Sequence, residues 1–155
     1  MIEHDLVKTL IEKNLYITTA ESCTGGMIAA KIVNVPDASK VFNGAFVTYS
    51  DEVKTQLVDV PKKLIERFGV VSEPVAKAMA EGAAKKLNTN IALSVTGIAG
   101  PSGGTKEIPV GTVCFGFYID GKCVTKTRHF NGDRQMIREE STDYALRELI
   151  SLLNE

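Results

Sequence analysis

Ser22, Cys23 and Thr24 stand side by side in T19-A-E-S-C-T-G-G26, ahead of a stretch with helical periodicity. A hydroxyl at such a place has three readings: a nucleophile, a ligand for a phosphate, or a cap for the first free N–H groups of the helix. Gly25 and Gly26 add weight to the ligand reading. Two missing side chains at a helix N-terminus leave bare amides, and those amides with the helix dipole suit an anion or an oxyanion. Cys23 is a competing nucleophile, but it adjoins Ser22, and in continuing strand geometry neighbours point to opposite sides. A small buried cysteine is the role expected of it.

A serine nucleophile needs a base, and the only histidines are His4, in a first helical stretch, and His129, near a strand end. That is poor material for a Ser-His-Asp triad. No SxxK follows Ser22, which sets the β-lactamase pattern aside. In V47-T-Y-S-D-E-V-K54 a strand ends and a helix begins, so Tyr49 and Lys54 reach the edge where the first strand ends, provided the two strands are parallel. Taken alone, a helix lysine is ordinarily solvated. A third region, Thr96 to Gly104 with Gly97, Gly100 and Gly103, is neither a Walker loop nor a GxGxxG fingerprint. It is long for a connector and follows a strand, a common setting for ligand contacts. Arg134 and Arg138 are placed to clamp a phosphate, although surface charge is the commoner fate of such arginines.

The elements that must position these groups follow from periodicity and punctuation. Leu6, Val7, Leu10 and Ile11 predict a helix over 3–13, LYITTA a strand over 15–20, and Met27, Ile28 and Ile32 a helix to Val33. A strand is expected over 41–50, then helices over 51–57 and 61–68, the latter with Pro61 as first helical residue. Ser72 as N-cap, Pro74 and terminal lysines mark a helix to Leu87. A strand over 91–96, a hairpin over 110–130 turning at Asp120-Gly121, and a helix over 133–153 capped by Asp133 complete the chain. Alternation of helix and strand followed by a hairpin predicts one three-layer α/β/α domain with a mixed sheet over residues 1–155. The hairpin pairs Tyr118 with Cys123 and leaves Cys114 roughly 13 Å down the strand, beyond disulfide reach.

The 155 residues carry 18 Lys plus Arg against 19 Asp plus Glu, a net charge of −1. Such a balance provides no basic field for nucleic acid, so any anionic ligand is small and locally held. The amphipathic start has no apolar run of signal-peptide or membrane-span type, and the odd cysteine count without CxxC spacing fits reduced thiols. A cytoplasmic protein with no membrane and no nucleic-acid partner is expected. The absence of a ligand cluster around the two histidines predicts no metal and no cofactor.

T19-A-E-S-C-T-G-G26, V47-T-Y-S50 with Lys54, G69-V-V-S-E-P-V75, T96-G-I-A-G-P-S-G-G104 and P109-V-G-T-V113 together resemble the CinA C-terminal domain family, the nicotinamide mononucleotide amidohydrolases also called PncC. The match runs in order over nearly the whole chain. The resemblance implies deamidation of nicotinamide mononucleotide to nicotinate mononucleotide and ammonia, in pyridine nucleotide recycling. By position Ser22 matches the family's nucleophile, Lys54 its base and Tyr49 the tyrosine beside them, there to relay a proton or position Lys54. The amides of Thr24, Gly25 and Gly26 are then expected to stabilise the oxyanion. Thr96, Gly97, Gly100, Gly103 and Gly104, with Arg134 or Arg138, are expected to hold the ribose phosphate. The family often carries a larger nucleotide-processing domain ahead of this one, whose activity is not expected here, and it suggests self-association into a homo-oligomer. Two departures stand out: Ile108 where a lysine is expected, and Asp59 where glycine is usual. The competing expectation is a non-catalytic module that binds a nucleotide or, given the family's association with competence and DNA damage, a partner.

Overall fold

The computed structural model describes all residues, 1–155. Helix α1 (Ile2–Lys13) leads to β1 (Ile17–Glu21), α2 (Met27–Val33) and, after a short 3-10 turn at Ala38–Lys40, β2 (Phe46–Val47). Then come α3 (Asp51–Val58), α4 (Lys62–Phe68), α5 (Glu73–Leu87) and β3 (Ile91–Gly97). The hairpin β4 (Thr112–Ile119) and β5 (Lys122–His129) precedes α6 (Arg134–Leu153). The sheet order is β2-β1-β3-β4-β5, with β2, β1 and β3 parallel and β4 and β5 antiparallel. The expected mixed sheet in a single α/β domain is what the chain forms.

Two cores sandwich that sheet. On one face Leu6 and Leu10 of α1, Ile28 and Ile32 of α2, and Ile137, Leu146 and Leu149 of α6 pack on Ile17, Leu93, Phe115 and Phe117. On the other, Val75, Met79, Ala80 and Ala83 of α5 pack with Val58 and Val60 against Ala20 and Ala92. Small residues on α5 let the layers approach closely, and Gly82 is the extreme case. A Cβ built there would lie 1.8 Å from the Val58 carbonyl oxygen. A glycine that costs a helix about 1 kcal/mol relative to alanine is therefore what allows α3 to lie against α5.

Several boundaries differ from expectation. The strand predicted over 41–50 survives only as Phe46–Val47, plus an isolated bridge between Ile17 and Phe42. Between them Gly44 turns its carbonyl to the Thr18 hydroxyl at 2.8 Å, which interrupts the ladder at this edge. Pro61 is the N-cap of α4, with ψ 130, and the helix begins at Lys62. The hairpin has the predicted register, Tyr118 opposite Cys123 and Cys114 opposite Thr127, and all three cysteines are free.

Candidate active site

The parallel strands β1 and β3 end at the same edge, and the turn 22–26, the start of α3 and the loop after β3 all gather there. Register fixes this: Glu21 lies beside Val47 on one side and Val95 on the other, and the Ser22 N–H donates to the Val95 carbonyl at 3.0 Å. A cleft of about 220 Å³ opens between them, lined among others by Ser22, Cys23, Tyr49, Lys54, Thr96 and Arg134.

Lys54 is only 1% exposed, against the ordinary habit of a helix lysine. Its Nζ lies 3.1 Å from Ser22 Oγ, 2.9 Å from the Thr48 carbonyl and 3.2 Å from the Tyr49 carbonyl. Three acceptors fit an ammonium. They fit a neutral amine equally, which donates to the two carbonyls and accepts the Ser22 proton with its lone pair. Burial pushes Lys54 below the usual lysine range, while Asp51 and then Cys23 pull it back up. The net shift is downward, toward the neutral form that a general base needs. Burial also pushes the Cys23 thiol up to about 12, so the neighbouring sulfur stays protonated and a poor nucleophile.

Ser22 does not cap α2. The N-cap position is Gly26, with φ 104 and no side-chain cap, and the role passes to Glu21. That residue is 0% exposed. Its Oε1 accepts from Thr24 Oγ1 at 2.7 Å, Gly26 N at 3.1 Å and Ile28 N at 3.0 Å, and its Oε2 from Thr19 Oγ1 at 2.9 Å and Ala29 N at 2.9 Å. A carboxylate thus fills the helix N-terminus that the sequence offered to a ligand. The Gly26 amide is consumed there and the Gly25 amide donates to the Ser22 carbonyl at 3.1 Å. Of the expected oxyanion donors only the Thr24 amide stays free, joined by that of Cys23, since neither donates to a carbonyl or carboxylate. Glu21 went unnoticed, although an acidic residue ending an otherwise uncharged strand just ahead of a helix is a signal of its own.

Tyr49 meets the Ser22–Lys54 pair through its backbone. Its side chain is 61% exposed and its phenol accepts from Arg134 at 3.0 Å, whereas its carbonyl meets Lys54 and, at 3.4 Å, Ser22 Oγ. The expected relay through the phenol has no contact to run through. Arg134 also donates to the Gly100 carbonyl at 2.7 Å, which ties the glycine-rich loop to the cleft mouth. Thr96 and Gly97 line the cleft and Gly100 borders it, but Gly103 and Gly104 do not line it; Gly104 packs against Val110. Arg138 stands behind the serine turn, donating to the Cys23 carbonyl at 2.9 Å and the Thr24 carbonyl at 3.3 Å. Ile108 packs on the small cluster of Val71, Ala76 and Cys114, so it anchors the loop. Asp59 is the left-handed C-cap of α3, φ 59, a conformation glycine adopts freely, and it pairs with Lys86 at 3.1 Å.

Fold and site together define an α/β domain with a buried serine–lysine pair where parallel strands end. The chain belongs to the CinA family: the family model for the CinA C-terminal domain matches residues 1–153. A CinA-like protein of Dictyoglomus thermophilum is 50% identical over 145 residues, which cover 94% of this chain and 35% of that protein. The chain thus spans about a third of the length of such relatives. The crystal structure of a competence-damaged protein (CinA) superfamily protein from Escherichia coli superposes with a TM-score of 0.95 at 36% identity, covering 97% of this chain and 88% of that one. A Klebsiella pneumoniae superfamily member does so at 0.96 and 31%, covering 99% and 96%.

Proposed function

We propose that the chain is an amidohydrolase that converts nicotinamide mononucleotide to nicotinate mononucleotide and ammonia by acyl transfer through Ser22. The observation that carries the reading is the 3.1 Å contact between Ser22 Oγ and the buried Lys54 Nζ. A pure binding module has no use for a buried lysine with a depressed proton affinity against a serine that caps nothing.

Neutral Lys54 takes the Ser22 proton as Oγ attacks the carboxamide carbon, and the carbonyl oxygen gains its charge near the Cys23 and Thr24 amides. Collapse of the tetrahedral adduct expels ammonia, which takes its proton from Lys54 and leaves an ester on Ser22. Water then attacks that ester, giving its proton to Lys54, which returns it to the Ser22 oxygen as the acid departs. Arg134 is the cation at the cleft mouth for the substrate's phosphate. Holding that remote group positions the amide, so nicotinamide alone is a poor substrate. The test is ammonia release from nicotinamide mononucleotide by wild type, Ser22→Ala and Cys23→Ala. Turnover by wild type and Cys23→Ala with none by Ser22→Ala is expected; a nucleotide that binds but is never hydrolysed by wild type would favour the binding module.

A further inference from the structure

The turn between β1 and α2 is held from two directions by charged groups that never enter the cleft. Glu21 grips its side chains and the helix start through Thr24 Oγ1 and the amides of Gly26, Ile28 and Ala29. Arg138, from α6, grips its carbonyls at Cys23 and Thr24. In a trans peptide the C=O and the next N–H point in opposite directions. The Cys23 carbonyl, held by Arg138, shares its peptide with the Thr24 N–H. The Ser22 carbonyl, held by the Gly25 amide at 3.1 Å, shares its peptide with the Cys23 N–H. Fixing those carbonyls fixes the direction of both N–H groups, the two left without a carbonyl or carboxylate acceptor beside the serine.

We infer that Glu21 and Arg138 are positioning residues that aim the Cys23 and Thr24 amides at the oxygen of the substrate carboxamide as it gains charge. The inference rests on the acyl-transfer reading of Ser22. Glu21 has a second consequence: its carboxylate closes the α2 N-terminus to the substrate's phosphate, which leaves Arg134 to take that group. Donors of this kind act on the transition state and not on the bound substrate. Loss of their aim therefore lowers kcat and spares KM.

The test uses Glu21→Gln and Arg138→Met in the full chain, with two ligands besides the substrate. Nicotinate mononucleotide reports ground-state binding. The aldehyde analogue of nicotinamide mononucleotide adds the Ser22 O–H across its C=O, giving a hemiacetal whose oxygen lies where the oxyanion forms. Expected in each variant is a fall in kcat and in aldehyde affinity of about 10²- to 10³-fold, with KM and product Kd changed less than about threefold. The acidic limb of kcat/KM against pH stays in place, because Lys54 touches neither residue. If Glu21→Gln fails to fold, Arg138→Met, which leaves every Glu21 bond intact, decides alone. Unchanged kcat, or equal losses in kcat, product binding and aldehyde binding, would overturn the inference while active wild type leaves the acyl-transfer reading standing. Wild type that releases no ammonia removes both.

Discussion

Among the turns that carry a serine into a helix, 21–26 into α2 and 69–73 into α5 use it differently. Ser72 is the N-cap of α5: its Oγ accepts from Val75 N at 3.4 Å and donates to the Gly69 carbonyl at 2.7 Å. Ser22 caps nothing, because the side chain before it has taken the helix N-terminus, and its Oγ meets Lys54 and the Tyr49 carbonyl instead. Each turn also has a glutamate beside its serine. Glu73 reaches across to the Thr125 and Thr127 hydroxyls of β5 at 2.7 and 2.6 Å, whereas Glu21 folds back onto its own turn. One local pattern thus caps a helix in one place and leaves a hydroxyl facing a buried lysine in the other, where the neighbouring carboxylate has taken the cap.

Exchanging the two losses is the largest effect expected. Ser22→Ala lowers kcat by at least about 10⁴-fold with little change in thermal stability, as nucleophile removal does in serine hydrolases. Ser72→Ala keeps its rate and loses about 1 kcal/mol of stability, the usual value of a helix cap. Ammonia assays beside melting curves of both variants check the pair. A serine at 22 whose loss destabilised the protein without affecting turnover would erase the contrast.

Lys54 sharpens the contrast through pH. Its proton affinity is lower folded than unfolded, so between the depressed folded value and the unfolded value of about 10.4 the unfolded chain binds more protons and stability rises with pH. Lys54→Met has no such group. Denaturant unfolding of both across that window is expected to show wild type gaining on the variant as pH rises; parallel profiles would mean that Lys54 titrates as a solvated lysine.

Gly82→Ala tests whether α3 depends on its close seat against α5. In an open helix the change would stabilise by about 1 kcal/mol, but overpacking of this kind costs about 1 to 3 kcal/mol, and the built Cβ meets Val58 O at 1.8 Å. Net destabilisation with a lower kcat is expected, since α3 carries Lys54. The smallest effect belongs to Asp59→Gly. It relieves a left-handed aspartate and removes an exposed ion pair worth about 0 to 1 kcal/mol, so Tm moves little and the rate is unchanged.

What the sequence made legible was whatever periodicity, glycines and hydroxyl caps encode. The hairpin register followed from Asp120-Gly121, the α5 cap from Ser72, and the placing of Ser22 and Lys54 at one edge from strand direction. What stayed hidden depends on backbone atoms, which have no letter in a sequence. Tyr49 was visible as a phenol, yet the carbonyls of Thr48 and Tyr49 are what meet Lys54. Gly25 and Gly26 read as open amides because a carboxylate folding back from Glu21 leaves no periodic trace. Arg138 read as a phosphate clamp because its partners, the Cys23 and Thr24 carbonyls, are 115 and 114 residues away in the chain.

Activation of Ser22 by a neutral Lys54 is tested by kcat/KM for nicotinamide mononucleotide against pH in wild type and Lys54→Arg. Wild-type activity is expected to rise with pH along an acidic limb set by deprotonation of Lys54, below the usual lysine range. Lys54→Arg is expected to be nearly inactive throughout, because a guanidinium does not give up its proton. Substantial activity in the arginine variant, with the limb unmoved, would contradict the assignment and leave Ser22 without its base.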